Sequence, residues 1–260
     1  MQSLNVLLLG KSSLYERIHK SKYLKKLYVT FEQEGLDAVF LQVKNKEDLI
    51  RKCKALQIDI VLVEDETLVF GGVADELKKK HINCISLNHK WINLVSDFRF
   101  SKSLLSKYGI STPQSLSFPQ NYPLVLRIGR TCRIVQSLEE MIRIKEIEIP
   151  EEFVKDVFLE EFLDGEKFNL TMVFDGQNLL FFPNGVSDSM PNFVLLKEKL
   201  QEMFNKENVD FTGFLNAKLI YAKNQWYILG FNTKLNVQNF EGDILFLLNA
   251  VIYQKLNELQ

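Results

Sequence analysis

The chain turns on the stretch Val157-Phe158-Leu159-Glu160-Glu161-Phe162-Leu163-Asp164-Gly165-Glu166-Lys167-Phe168-Asn169-Leu170-Thr171-Met172-Val173-Phe174-Asp175-Gly176. Two apolar segments flank a charged, glycine-containing bend, and an Asp-Gly turn signal closes the run. The pattern predicts a β-hairpin with carboxylates at its corner. A strand end of this kind leaves backbone groups free for the edge of a heterocycle, and Glu160, Glu161 and Glu166 can accept hydrogen bonds from ribose-type hydroxyls. Solvated charges at a strand end would read the same way.

Upstream, residues 5–10 form a continuous apolar run ending in Gly10, as expected of a parallel strand buried on both faces and followed by a loop and a helix. The strand signal recurs at residues 39–41, 58–63 and 82–85, separated by helical stretches at 46–56 and 73–80. That alternation predicts an α/β parallel sheet with right-handed crossovers. Residues 97–113 predict a helix closed by Gly109 before Pro113. Strands at 122–127 and 133–135 enclose a short loop, and Arg127, Arg130 and Arg133 predict either a cationic patch or a charged strand edge. Downstream of the central stretch, an amphipathic helix at 193–204 precedes strands at 211–221 and 225–231, and Asp243 caps a terminal helix at 244–256.

Length and composition set limits on all this. The chain has 260 residues, 46% hydrophobic and 25% charged, which is ample for a folded core. Lys+Arg 32 against Asp+Glu 33 leaves a net charge of -1, so no global field favours nucleic acid or an acidic membrane, and neither is expected as a partner. The spacing of Cys53, Cys84 and Cys132 fits no metal pattern, and reduced core thiols are expected. No leader or membrane-spanning run is apparent, so a cytoplasmic protein is expected. His19, His81 and His89 assemble no catalytic triad by motif.

The run Leu159-Glu160-Glu161-Phe162-Leu163-Asp164-Gly165-Glu166 resembles the nucleotide hinge of ATP-grasp ligases, in particular glycinamide ribonucleotide synthetase, also called phosphoribosylamine-glycine ligase. Residues 212–219 resemble a strand of that family, and residues 227–232 stand where it carries its magnesium motif, with Gly230 and Asn232 in place of Glu and Asn. The resemblance implies a pre-ATP-grasp α/β domain over 1–112 and an ATP-grasp region over 113–260. The latter divides into a small subdomain at about 113–163 and a larger one at about 164–260, and the family's C-terminal domain is missing. It implies ATP and Mg2+ as cofactors if the protein is active, and otherwise none or a weakly held adenine nucleotide. Nucleotide contacts would come from Arg127, Arg130, Glu160, Glu161, Phe162, Leu163 and Glu166, with Asn232 as the metal ligand. No catalytic residue is assigned.

The same resemblance marks departures. The family's first glycine loop is reduced to Gly10, followed by Lys11, Ser12 and Ser13, where the serines can hold an anion or cap a helix. Phe98 replaces a lysine, the triphosphate loop is cut short at residues 128–132, and the long loop after Phe182 is missing. Gly230 removes a carboxylate where magnesium needs anionic oxygen. Two functions are therefore expected: a degenerate, non-ligating relative that holds an adenine nucleotide by base and ribose, or an active ATP-dependent carboxylate-amine ligase.

Overall fold

The computed structural model describes residues 2–32, 35, 37–119, 121–129, 131–147, 157–237 and 239–259. Strand β1 (Leu4–Leu9) is buried at every position, because its run Leu-Asn-Val-Leu-Leu-Leu has no polar face to turn towards water. Its single amide, Asn5, donates through Nδ2 to the carbonyls of Leu56 and Gln57 at 3.3 and 3.0 Å. The chain continues through α1 (Tyr15–His19), β2 (Leu24–Val29), β3 (Val39–Phe40), α2 (Lys46–Ala55), β4 (Ile60–Val63), α3 (Glu66–Phe70), α4 (Val73–Lys79) and β5 (Cys84–Ile85). Among the described residues these strands form a parallel sheet in the order β3-β2-β1-β4-β5. The predicted α/β class is borne out.

After α5 (Asn93–Ser96) comes the predicted linker helix, α6 (Phe98–Lys107). The Asp97 carboxylate accepts from the N–H groups of Arg99 and Phe100, which starts it. Gly109, at φ +62, ends it: its N–H and that of Ile110 bond to the carbonyls of Ser106 and Leu105. Next are β6 (Ser115–Leu116), β7 (Leu124–Ile128), β8 (Thr131–Val135), α7 (Leu138–Ile147) and β9 (Val157–Glu161), which build an antiparallel sheet ordered β6-β9-β7-β8. The rest is β10 (Glu166–Phe174), β11 (Leu179–Asn184), α8 (Phe193–Lys206), β12 (Gly213–Ala222), β13 (Gln225–Asn232), α9 (Ile244–Ile252) and a final 3-10 turn (Leu256–Leu259). Its sheet runs β11-β10-β12-β13. Lys223 and Asn224, both at positive φ, make the two-residue turn between β12 and β13.

The central stretch departs from the expected hairpin. Strand β9 pairs with β6 and β7, whereas β10 pairs with β11 and β12, so the charged bend is a crossover between two sheets. Packing explains the difference. Leu163 is buried with Ile220, Ala222 and Tyr227, and a Cβ on Gly165 would lie 2.2 Å from the Tyr221 carbonyl oxygen, so the bend is pinned against β12. The Asp175-Gly176 signal does close a hairpin, joining β10 to β11. There the buried Asp175 carboxylate accepts from the N–H groups of Gln177 and Asn178 at 2.9 and 2.6 Å.

Two large apolar clusters join the first sheet to the last. One packs Leu7, Leu9, Val61 and Val63 with α6, Leu170, Met172 and α8, and the other packs Val6, Leu8, Ile60 and Leu62 with α9. The small sheet keeps a separate cluster of Leu124, Leu126, Val135, Met141 and Ile144. Among the described residues no helix is long and apolar enough to cross a membrane.

Candidate functional site

Where the small sheet faces the β10-β12-β13 sheet lies a cavity of about 1010 Å³. Strand alternation selects what enters it. On the small sheet Val125, Arg127, Cys132, Ile134 and Glu160 point inwards; across from them are Lys167, Lys218, Ile220, Gly230 and Asn232, with Phe98 at the start of α6 and Phe162 and Leu163 at the crossover. The central stretch therefore matters as the seam of the cavity.

Arg127 and Glu160 sit side by side on neighbouring strands, only 6% and 1% exposed. The Arg127 Nε donates to Glu160 Oε2 at 2.6 Å and its Nη2 to the Leu229 carbonyl at 2.7 Å, while Lys102 Nζ donates to Glu160 Oε1 at 2.5 Å and to the Pro113 carbonyl. A buried carboxylate is tolerable only when its oxygens are met this fully, so Glu160 is committed to the protein's own cations. Leu229 can receive Arg127 because β13 carries a bulge there: Lys218 pairs with Gly230 but Leu219 pairs with Ile228, leaving Leu229 as the extra residue.

Phe98 and Gly230 complete this unit. The Arg127 guanidinium lies 4.2 Å from the centre of the Phe98 ring, and a Cβ built on Gly230 would lie 2.9 Å from Phe98 Cε1. Gly230 also has φ +149, a conformation that side chains avoid. The lysine-to-phenylalanine and glutamate-to-glycine departures are thus one contact: the ring stands where a side chain at position 230 would begin.

Asn232 lines the cavity, but its Oδ1 already accepts the Lys234 N–H at 2.9 Å, and Asn216 Nδ2 approaches it at 3.5 Å. Among the described residues no group of three or more His, Cys, Asp or Glu side chains is placed to hold a metal. With Glu160 and Glu161 paired to the protein's own cations, the Asn232 amide beside the ammonium groups of Lys167, Lys218 and Lys234 is a poor fit for Mg2+, which requires near-octahedral oxygen ligands with carboxylate or phosphate charge.

The other predicted residues divide. Glu161 lines the cavity, accepts the Gln114 N–H at 2.9 Å and pairs with Lys223. Burial works against its ionisation, yet the Lys223 ammonium and the Gln114 N–H outweigh it and hold the carboxyl below its ordinary range. Phe162 and Leu163 line the wall. Glu166 stands two residues before the buried Phe168 and shares its strand face, opposite the cavity-lining Lys167. Arg130 lies outside the described residues. The expected cationic patch does not form from Arg127 and Arg133: Arg127 pairs with Cys132 and Arg133 with Leu126, which places them on opposite faces of the sheet. Cys132 is exposed in the cavity wall and is not a core thiol, because its strand is at the sheet edge; Cys53 is buried and Cys84 partly so.

In the first loop the serines do not cap a helix. The Ser13 hydroxyl donates to the Leu235 carbonyl at 2.8 Å, the Ser12 hydroxyl accepts the Leu14 N–H at 3.0 Å, and burial holds the Glu64 carboxyl above its ordinary range. Gly10, at φ +91, allows the close approach expected of it, but the group approached is the Asp65 backbone: a Cβ would lie 2.6 Å from that nitrogen. Lys102, Lys167, Lys218 and Lys234 escaped the sequence reading. Period-two counting along residues 216–220 would have put Lys218 on the face of Asn216, but only the sheet register brings Lys167 beside it.

No protein-family model matches the chain. Phosphoribosylamine–glycine ligase of Clostridium acetobutylicum is 23% identical over 273 residues, covering 84% of this chain; the chain spans only 66% of that enzyme's length. The crystal structure of phosphoribosylamine–glycine ligase from Thermotoga maritima superposes with a TM-score of 0.71 at 18% identity, over 97% of this chain and 74% of that one. The biotin carboxylase domain of Hydrogenobacter thermophilus 2-oxoglutarate carboxylase, solved with MgADP, ADP and bicarbonate, gives a TM-score of 0.66 at 14% identity, over 92% of this chain and 66% of that one.

Proposed function

Since this chain has the ATP-grasp fold and is similar in sequence to phosphoribosylamine–glycine ligases, we propose that it binds an adenine nucleotide and carries out no ligase reaction. The observation that carries this reading is the Phe98 ring against Gly230, backed by Arg127 and Glu160 bound to each other. Phosphoryl transfer depends on cations held against the transferring group, and here the carboxylate that would hold the metal is replaced by a glycine under an aromatic ring. The adenosine end is favoured instead. Phe162, Leu163 and Val125 offer an apolar wall for the base, and among the described residues no hydrogen bond ties the backbone of Phe162 or Leu163.

The test has two arms. Purified protein with ATP, Mg2+, glycine and phosphoribosylamine is expected to form no glycinamide ribonucleotide, and turnover on the order of 1 per second would establish the alternative, an active carboxylate-amine ligase. Calorimetry with adenosine and ADP is expected to give binding that Phe162→Ala weakens.

A further inference from the structure

The cavity floor is polar where its reverse side is apolar. Facing the cavity side are Lys167, Asn169 and Thr171 of β10, Asn216 and Lys218 of β12, and Asn232 of β13; the other face carries Phe168, Leu170, Met172, Leu215 and Leu219 in the core. Asn169 pairs with Lys218, so Lys167 and Lys218 are diagonal neighbours about 7–8 Å apart, and Lys234 follows Asn232 at the same edge.

Two acids of the cavity are committed elsewhere: Glu160 is bound to Lys102 and Arg127, and Glu161 to Lys223. Among the described residues none of the ammonium groups of Lys167, Lys218 and Lys234 has a hydrogen bond or ion pair. Beneath them, Thr171 Oγ1 and Asn216 Oδ1 are buried without a hydrogen-bond partner, in residues 1% and 5% exposed. Three unpaired cations favour an anion and disfavour a divalent cation.

We propose that the phosphate end of the ligand is held directly by Lys167, Lys218 and Lys234, with no divalent cation, and that Mg2+ competes with these lysines for it. This rests on the adenine-nucleotide reading for the rest of the ligand, but not for the anion site itself. It also revises the expectation drawn from the resemblance, in which phosphates added nothing to a base-and-ribose complex.

The experiment uses the full chain with three probes, adenosine, ADP and inorganic pyrophosphate, each titrated by calorimetry in EDTA and again with excess Mg2+. ADP in EDTA is expected to bind about tenfold more tightly than adenosine, as one or two charge-assisted contacts would give. Mg2+ and added salt should weaken ADP and pyrophosphate but leave adenosine unaffected. Lys218→Ala and Lys167→Ala, both at exposed side chains, should each weaken ADP and pyrophosphate about tenfold and spare adenosine, while Lys218→Arg retains most of the affinity. Pyrophosphate that binds only with Mg2+, pyrophosphate that does not bind, or lysine variants without effect would each overturn the proposal. Pyrophosphate binding without adenosine binding would leave the lysine site standing and remove the adenine reading instead.

Discussion

Glu160 is the residue whose removal should be felt most. Its carboxylate is 1% exposed and is the shared anion of Arg127 and Lys102, so Glu160→Ala leaves two cations facing each other beside an apolar wall. Breaking a buried pair from one side costs about 3–5 kcal/mol, against about 1 kcal/mol or less for the more exposed Glu161–Lys223 pair. Denaturant unfolding of Glu160→Ala and Glu161→Ala checks the ordering, and equal losses would show that Glu160 is better solvated than its geometry implies. Cys132 allows a second measurement at this scale. Burial pushes the Cys53 thiol up to about 11 and raises that of Cys84 as well, while Cys132 is exposed in the cavity wall. Intact-mass analysis after brief maleimide treatment at neutral pH is expected to show one adduct, at Cys132, and ADP should slow its formation. Labelling of Cys53 at a comparable rate in the folded protein would contradict the placement.

At the scale of elements, the bulge in β13 and the first turn of α6 act as a pair. Gly230 brings φ +149 and an absent Cβ, and Phe98 fills the space. Restoring the carboxylate by Gly230→Glu therefore meets both a disfavoured backbone conformation and the ring, for a combined cost of about 2–4 kcal/mol. Adding Phe98→Ala should recover the steric part but not the backbone part. Unfolding curves of both single variants and the double variant give the coupling, expected to be at least about 0.5 kcal/mol; strict additivity would separate the two residues. Neither residue showed this relation in the sequence. They are 132 positions apart and each, alone, is only a departure from a family pattern.

For the whole molecule, the proposed boundary near residue 112 falls between α6 and β6, yet both large apolar clusters cross it. Leu7, Leu9 and Val63 share one cluster with Leu170 and α8, and Leu8 and Leu62 share the other with α9, so residues 1–112 alone would lose the α9 cover over Leu8 and Leu62 and leave apolar surface exposed. That fragment is expected to lack a cooperative thermal transition, which calorimetry would detect. The small sheet rests on its own modest cluster, so in the intact chain amide exchange should be faster in β7 and β8 than in β1 and β12. Equal protection throughout would mean that the small sheet is tied to the rest more strongly than its packing shows.

Local chemistry made much of this legible in the sequence. The apolar run at residues 5–10 pointed to an inner strand, Gly109 marked the end of α6, and Asp175-Gly176 marked a tight turn, because caps, turns and buried strands depend on near neighbours. The stretch at 157–176 was recognisable as two strands and a charged bend, but their partners were not, since pairing is decided by which distant strand offers matching hydrogen bonds and packing. The same limit applies to the cavity. Composition could show that lysines and glutamates balance, but only the tertiary structure decided that Glu160 is bound to Arg127 and Lys102 while Lys167 and Lys218 are left facing a cavity, because charges are paired through space and not along the chain.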